Sequence, residues 1–98
     1  MPEVVYSPDS IGDLAEIWDY VAQDSPFQAD RLVNRFRFKL QYLARHNLLG
    51  RPRPEPAGNC RSVPLGKYCI YYRPISDGIE LLRLIHSPRD IRQIKFQK

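Results

Sequence analysis

Two stretches of the chain space their apolar residues as amphipathic helices do. The first runs from Ile11 to about Asp24, with apolar side chains every three or four positions and acidic residues on the other faces. The second begins at Ser25-Pro26, a cap followed by a proline that fits the first helical turn. Because the join is so short, we predict an antiparallel helical hairpin. The predicted apolar stripes are Ile11, Leu14, Ala15, Trp18, Val21 and Ala22 in the first helix and Ala29, Leu32, Val33, Phe36, Leu40, Leu43 and Ala44 in the second.

Three later runs have the composition of strands and are separated by turn residues. They cover residues 60–64, 67–73 and 79–86, and Leu65-Gly66 and Ser76-Asp77-Gly78 provide the two turns. Short turns of this kind join neighbouring antiparallel strands. The runs therefore predict an antiparallel meander that follows the helical hairpin.

Two further segments complete the predicted fold. Val4-Val5-Tyr6 is a short apolar run that predicts an edge strand at the N-terminus. Residues 50–58 contain three prolines, which end any helix and predict an extended link. With 98 residues, the chain has room for one domain, residues 1–98. The expected fold class is α+β, a helical hairpin packed on a small antiparallel sheet.

A simple strand register predicts two unlike sheet faces. Pairing across Leu65-Gly66 places Val63 opposite Tyr68 and Arg61 opposite Ile70. We expect the more apolar face to pack on the hairpin, and a bulge at Asp77-Gly78 would change the third strand's contribution. The first face contains Val63, Tyr68, Ile70, Tyr72, Leu82 and Leu84, and the second contains Cys60, Ser62, Cys69, Tyr71, Arg73, Leu81, Arg83 and Ile85.

Charge is distributed unevenly along the chain. Residues 1–49 contain five basic and seven acidic side chains, whereas residues 50–98 contain ten basic and four acidic ones. The C-terminal half is therefore electropositive and would attract an acidic protein segment or a phosphate backbone. A merely solubilising surface charge is the alternative.

The composition excludes several classes of protein. No apolar run approaches the roughly 20 residues of a membrane helix, and the N-terminus is not typical of a secretory signal, so we expect a cytoplasmic protein without a membrane role. Cys60 and Cys69 are too few for a disulfide scaffold or a structural zinc site. They are not directly opposite in the predicted register, so we expect reduced thiols, and a disulfide would require a shifted register. No phosphate loop or metal-ligand spacing is present, and no cofactor is expected.

Four segments, taken together and in order, resemble the ParE toxins of the ParE/RelE toxin superfamily. They are DLAEIWDYV at residues 13–21, GRPRPE at 50–55, KYCIYYRP at 67–74 and DGIELLRLIHSPRD at 77–90. The resemblance implies a toxin of a type II toxin–antitoxin pair, neutralised by a ParD-like antitoxin in a complex of two toxins and two antitoxins. ParE-type members act on DNA gyrase, whereas RelE-type members cleave mRNA on the ribosome. Fold does not decide between these activities.

RNA cleavage requires a general base, a general acid and cations that hold the reacting phosphate. RelE-like nucleases place lysines and an arginine on the exposed sheet face, where this chain has Cys60, Ser62 and Cys69. A second pattern, similar to the YoeB branch, would use Glu55 and His86, but Cys69 stands where its arginine should be. We therefore expect no catalytic residue. Under the alternative of mRNA cleavage the candidates are Glu55, His86, Arg83 and Arg89.

Our first hypothesis is a protein–protein inhibitor of gyrase with no direct nucleic-acid binding. The second is a ribosome-dependent mRNA endoribonuclease, and the third is a catalytically inert antitoxin-binding module. Under all three, an acidic and apolar antitoxin tail would fold on the groove between hairpin and sheet and on the mixed sheet face. We expect charge reversal at Arg73 and Arg83 to weaken antitoxin binding more than reversal at Arg31 and Arg35. The candidate partner contacts are Arg61, Arg73, Arg83, Arg89, Arg92, Lys95 and Tyr71.

Overall fold

A computed structural model of the chain describes residues 1–54 and 58–86. Two helices lie on one face of a five-stranded sheet, so the predicted α+β class with an N-terminal helical hairpin is confirmed. The helices are α1, Pro8–Ala22, and α2, Pro26–Arg45; the strands are β1, Glu3–Tyr6, β2, Arg51–Arg53, β3, Cys60–Leu65, β4, Tyr68–Ile75, and β5, Gly78–His86.

Both helices begin with the same serine–proline pair. The hydroxyls of Ser7 and Ser25 accept hydrogen bonds from the backbone N–H three residues further on, at 3.1 and 3.2 Å. These bonds satisfy amides that have no partner within the helix. Pro8 and Pro26 follow at the first helical position, where the missing N–H costs nothing. The cap predicted at Ser25 is therefore confirmed.

The buried face of α1 differs from the predicted stripe. Ser10 and Ile17 are its buried residues, whereas Ile11 is 57% exposed and Trp18 lies at the surface. The Ser10 hydroxyl donates to the carbonyl oxygen of Ser7 at 2.8 Å, so this polar residue can be buried without an unsatisfied group. Including Ile11 and Trp18 in the core stripe was therefore wrong. The stripe predicted for α2 is confirmed by the burial of Ala29, Phe36, Leu40, Leu43 and Ala44.

The sheet is mixed, in the order β1-β5-β4-β3-β2. The antiparallel meander of β3, β4 and β5 and the edge position of β1 are confirmed. Two features differ from the predicted small antiparallel sheet. β1 pairs parallel to β5, and the proline-rich link forms β2 against β3. Pro52 is tolerated there because an edge strand uses hydrogen bonds on one side only.

The pairing of β3 and β4 is two residues away from the predicted register. Val63 lies opposite Ile70 and Arg61 opposite Tyr72, because the turn consists of Gly66 and Lys67. Gly66 has a φ of 60°, which the first position of a two-residue hairpin turn requires. A shift of two residues leaves every side chain on its predicted face.

A bulge in the pairing of β4 and β5 moves two leucines. Tyr71 pairs with Arg83 and Tyr72 with Leu81, so Leu82 is the extra residue. Leu81 is fully buried in the core beneath the helices, and Leu82 packs on the opposite face. The predicted faces of these two residues were wrong, because the bulge lies here rather than at the turn before β5.

The loop after α2 is held to the sheet by one buried phenol. The hydroxyl of Tyr72 accepts from the backbone N–H of Gly50 at 2.7 Å and donates to the carbonyl oxygen of Asn47 at 3.1 Å. The side-chain amide of Asn47 donates to the carbonyl oxygens of Ile75 and Gly78, at 3.2 and 3.1 Å. A Cβ at position 50 would lie 2.5 Å from the Tyr72 hydroxyl, so glycine is required there.

We expect Tyr72→Phe to lower the free energy of unfolding by about 1–3 kcal/mol, because the Gly50 amide would lose its buried acceptor. Urea denaturation would measure the loss. Tyr42→Phe, at an exposed position, serves as the matched control and should change stability much less. Equal losses in both variants would contradict the role given to Tyr72.

Alkaline pH should destabilise the fold. Burial raises the pKa of the Tyr72 phenol above 10, and the Gly50 amide and Arg61 oppose this shift only in part. The unfolded phenol titrates near pH 10, so the unfolded state alone loses the proton as the pH first rises above that value. We expect stability to fall with pH above about 10, and less steeply in Tyr72→Phe. Denaturant titrations between pH 8 and 11 would measure both slopes.

Candidate functional site

Three of the predicted contact arginines are engaged within the fold. Arg61 donates from Nη1 to the carbonyl oxygens of Leu48 and Gly50, at 3.1 and 2.7 Å, and so holds the loop before β2. Arg73 on β4 pairs with Glu80 on β5. These two guanidinium groups therefore have structural partners, and a contact role for them remains a prediction.

Arg83, the third of these arginines, forms a bidentate ion pair with Asp13 on α1. Nε lies 2.7 Å from Oδ2 and Nη2 lies 2.9 Å from Oδ1. Oδ2 also accepts the backbone N–H of Leu84 at 3.0 Å. The Arg83 side chain is 24% exposed and that of Asp13 is 12% exposed, and the hydrogen bond to Asp13 raises the pKa of Arg83 further. Its charge is thus largely neutralised within the protein.

This ion pair lies beside a groove between α1 and the end of β5, with a volume of about 410 Å³. His86, a candidate general acid, lines the groove together with Asp13 and Glu16. The imidazole is exposed and its centroid lies 5.2 Å from that of the Tyr68 ring. We name this cleft the acidic groove. Arg83 balances the charge of Asp13, so Glu16 gives the groove a net negative charge; this would repel a phosphate, the opposite of what RNA cleavage needs.

A second, more open groove of about 610 Å³ lies between α2 and the end of β3. Two cations from α2 line it, Arg35 and Lys39, and the Lys39 ammonium lies 5.9 Å from the centroid of the Tyr42 ring. We name this cleft the basic groove. The sequence analysis named Arg35 only as a weaker comparison for antitoxin binding and did not select Lys39. Basic and aromatic residues at helical spacing on the outer side of α2 were the available signal. The remaining lining residues are Phe38, Tyr42, Leu49 and Leu65.

The sheet face away from the helices contains Tyr71 and the two cysteines, all of which were predicted to lie on the second, mixed face. Tyr71, a predicted partner contact, is only 1% exposed and packs with Cys60 and Cys69. Burial, followed by a hydrogen bond with Cys69, raises the pKa of its phenol. No disulfide joins the two cysteines, in agreement with the expectation of reduced thiols. Arg53, which the sequence reasoning did not select, donates from Nε to the Ser62 hydroxyl at 2.8 Å.

Four of the predicted site residues, Glu55, Arg89, Arg92 and Lys95, lie outside the described residues. Within residues 1–54 and 58–86, no three His, Cys, Asp or Glu side chains form a group that could hold a metal ion. The two helices of that same part are too short or too polar to cross a membrane.

The whole arrangement can be compared with known proteins. The family model of the ParE toxin of the type II toxin–antitoxin system parDE matches residues 4–91. The chain belongs to the ParE toxin family. A solved structure of the chromosomal ParDE toxin–antitoxin system from P. aeruginosa has the same fold, with 22% identity and a TM-score of 0.72 over 89% of this chain and 97% of that one. Among curated proteins, no match is found. The resemblance inferred from the four sequence segments is thereby confirmed for this ParE toxin.

We expect Arg83→Met in this ParE toxin to reduce the free energy of unfolding by about 1.5–3 kcal/mol, because it leaves the Asp13 carboxylate without its charged partner. The double variant with Asp13→Asn should be less destabilised than the sum of the two single variants. Urea denaturation of all three supplies a double-mutant cycle. An additive result would mean that the pair contributes no coupling and that Arg83 is available for other contacts.

Proposed function

We propose that this ParE toxin inhibits DNA gyrase by protein–protein binding and is held inactive by a ParD-type antitoxin in the basic groove. The observation that carries the proposal is that the basic groove combines two cations, Arg35 and Lys39, with apolar and aromatic lining residues. An acidic, partly apolar segment would find both charge complementarity and a surface to bury there.

The ParDE complex that shares this fold supports a partner of this kind. An antitoxin tail that is disordered when free gains order by docking, and apolar anchors supply the energy for that ordering. The basic groove offers such anchors in Phe38, Tyr42 and Leu65.

The charges around His86 favour gyrase inhibition over mRNA cleavage. Arg83, the candidate arginine that lines the same groove in the described part of the chain, is neutralised by Asp13, and Glu16 adds a second carboxylate. Among the described residues that line this groove, His86 therefore has no unpaired cation beside it that could stabilise a pentacovalent phosphate. Mechanistically, the proposed activity needs no bond making or breaking by the toxin itself, only an occupied gyrase surface.

A supercoiling assay with purified gyrase, run beside an in vitro translation assay with mRNA primer extension, tests the proposal. We expect loss of supercoiling with intact mRNA, and full relief when antitoxin is added first. His86→Ala should inhibit supercoiling as strongly as the unchanged toxin. Cut mRNA in ribosomes with normal supercoiling would contradict the proposal and make His86 and Glu55 the first catalytic candidates.

Charge reversal in the basic groove tests the antitoxin site. We expect Lys39→Glu to weaken antitoxin binding at least tenfold, because it places a negative charge where an acidic segment docks. Arg37→Glu is the matched control, since Arg37 is an exposed cation on the same helix outside the groove. Isothermal titration of both variants measures the difference. Equal losses would place the antitoxin elsewhere, and the Arg73 and Arg83 face would be tested next.

A further inference from the structure

The two helices of the hairpin carry opposite charges on their exposed surfaces. α1 contains four acidic residues and no basic one, whereas α2 contains five basic residues and one acidic one. Among the described residues, no ion pair joins α1 to α2. Asp13 is paired with Arg83, but Asp9, Glu16 and Asp19 on α1 and Arg31 on α2 are exposed and leave the two helices with opposite surface charge.

The same surface has complementary shapes on its two helices. On the side of α1 away from the core, Gly12 and Ala15 are exposed small residues, and a Cβ added at Gly12 would have no neighbour within 4 Å. On the corresponding side of α2, Phe27 and Phe38 are 67% and 79% exposed. Their separation of eleven residues places them on one line along the helix, opposite the buried Phe36. One helix offers a shallow depression and the other offers projecting rings.

We propose that this outer face of the hairpin binds a second copy of the toxin, with α1 of each copy against α2 of the other. A two-fold axis parallel to the helices brings the acidic helix onto the basic helix twice, which is the self-complementarity that a two-fold dimer requires. Any other docking of two copies would place like charges together on at least part of the face.

The alignment of the helices within one monomer determines which residues meet in the dimer. Trp18 Nε1 donates to Asp30 Oδ1 at 2.9 Å, so residue 18 of α1 and residue 30 of α2 lie at the same height. Because the helices run antiparallel, Arg31 then lies about 3 Å along the axis from the height of Asp19, and Phe38 lies about 3 Å from the height of Gly12. An axis parallel to the helices preserves these heights between the two copies. It therefore brings Arg31 to within about 3 Å in height of the partner's Asp19, and Phe38 to within about 3 Å in height of the partner's Gly12, offsets that these long side chains can span.

The available area is sufficient for a weak, reversible dimer. A 20-residue helix is about 30 Å long, and two packed helices present a face about 20 Å wide. Each copy would thus bury about 600 Å², or about 1,200 Å² in total, the lower end of specific interfaces. Phe38 also borders the basic groove, so an antitoxin seated there would compete with the dimer.

Sedimentation velocity of the purified toxin without antitoxin tests the proposal at 1–100 µM in 50 and 500 mM NaCl. We expect a monomer–dimer equilibrium that weakens at least fivefold at the higher salt concentration. Asp19→Arg or Arg31→Asp alone should weaken dimerisation at least tenfold, because each places like charges in two symmetric contacts. The double variant Asp19→Arg with Arg31→Asp should restore it to within about threefold, since the pair is reversed but remains complementary.

Arg51→Asp is the matched control, because Arg51 is an exposed cation on β2, outside the hairpin face, and its reversal should leave dimerisation unchanged. Circular dichroism would confirm that each variant is folded. A monomer throughout the concentration range would overturn the proposal. A dimer whose dissociation constant is unchanged by both single reversals would overturn it as well. A folded double variant that stays monomeric would equally overturn it. Antitoxin affinity and gyrase inhibition are measured separately, so failure of the dimer leaves the proposed function intact.

Discussion

The carboxylate of Asp13 is the interaction on which the arrangement of helices and sheet depends most directly. It joins α1 to β5 through the Arg83 guanidinium and the Leu84 amide, three hydrogen bonds to one carboxylate. β1 pairs only as far as Leu81, so the remainder of β5 would otherwise be an open sheet edge beneath the helix. Unpaired edges invite pairing with other chains, and a carboxylate that occupies an edge amide prevents it.

That bond also determines how charge is displayed around the fold. Arg83 is paired with Asp13, so it does not offset the charge of Glu16, and the nearby groove stays acidic. Arg35 and Lys39 make the groove on the other side of the hairpin basic. An arginine that looks like a ligand-binding cation in the sequence is thus part of the scaffold. Under the proposed function, the two grooves of opposite sign would favour an acidic partner in the basic groove and disfavour a phosphate backbone near His86.

Much of the fold could be predicted from periodicity and turn chemistry, because those features act locally. The serine–proline start of α2, the α2 stripe and the β3–β5 meander followed from neighbouring residues. The bulge at Leu82 could not, because it depends on how β4 and β5 fit together under the helices. The exposure of Ile11 and Trp18 was missed for the same reason: helical spacing identifies an apolar side but not how wide a face the sheet covers. Glu55 and the predicted C-terminal contacts lie outside the described residues. Arg83 illustrates that partners distant in sequence decide which charges are free.

The parallel pairing of β1 with β5 has a consequence for how the toxin is made. Glu3 at the start of the chain lies beside Gly78, so close that a side chain at position 78 would overlap the Glu3 backbone. During synthesis the helices can form early from local contacts, but the first strand has no partner until the last one has left the ribosome. The sheet is therefore closed only after β5, the last of its strands in chain order, has been made. Until then the growing chain lacks the finished sheet on which the two helices pack.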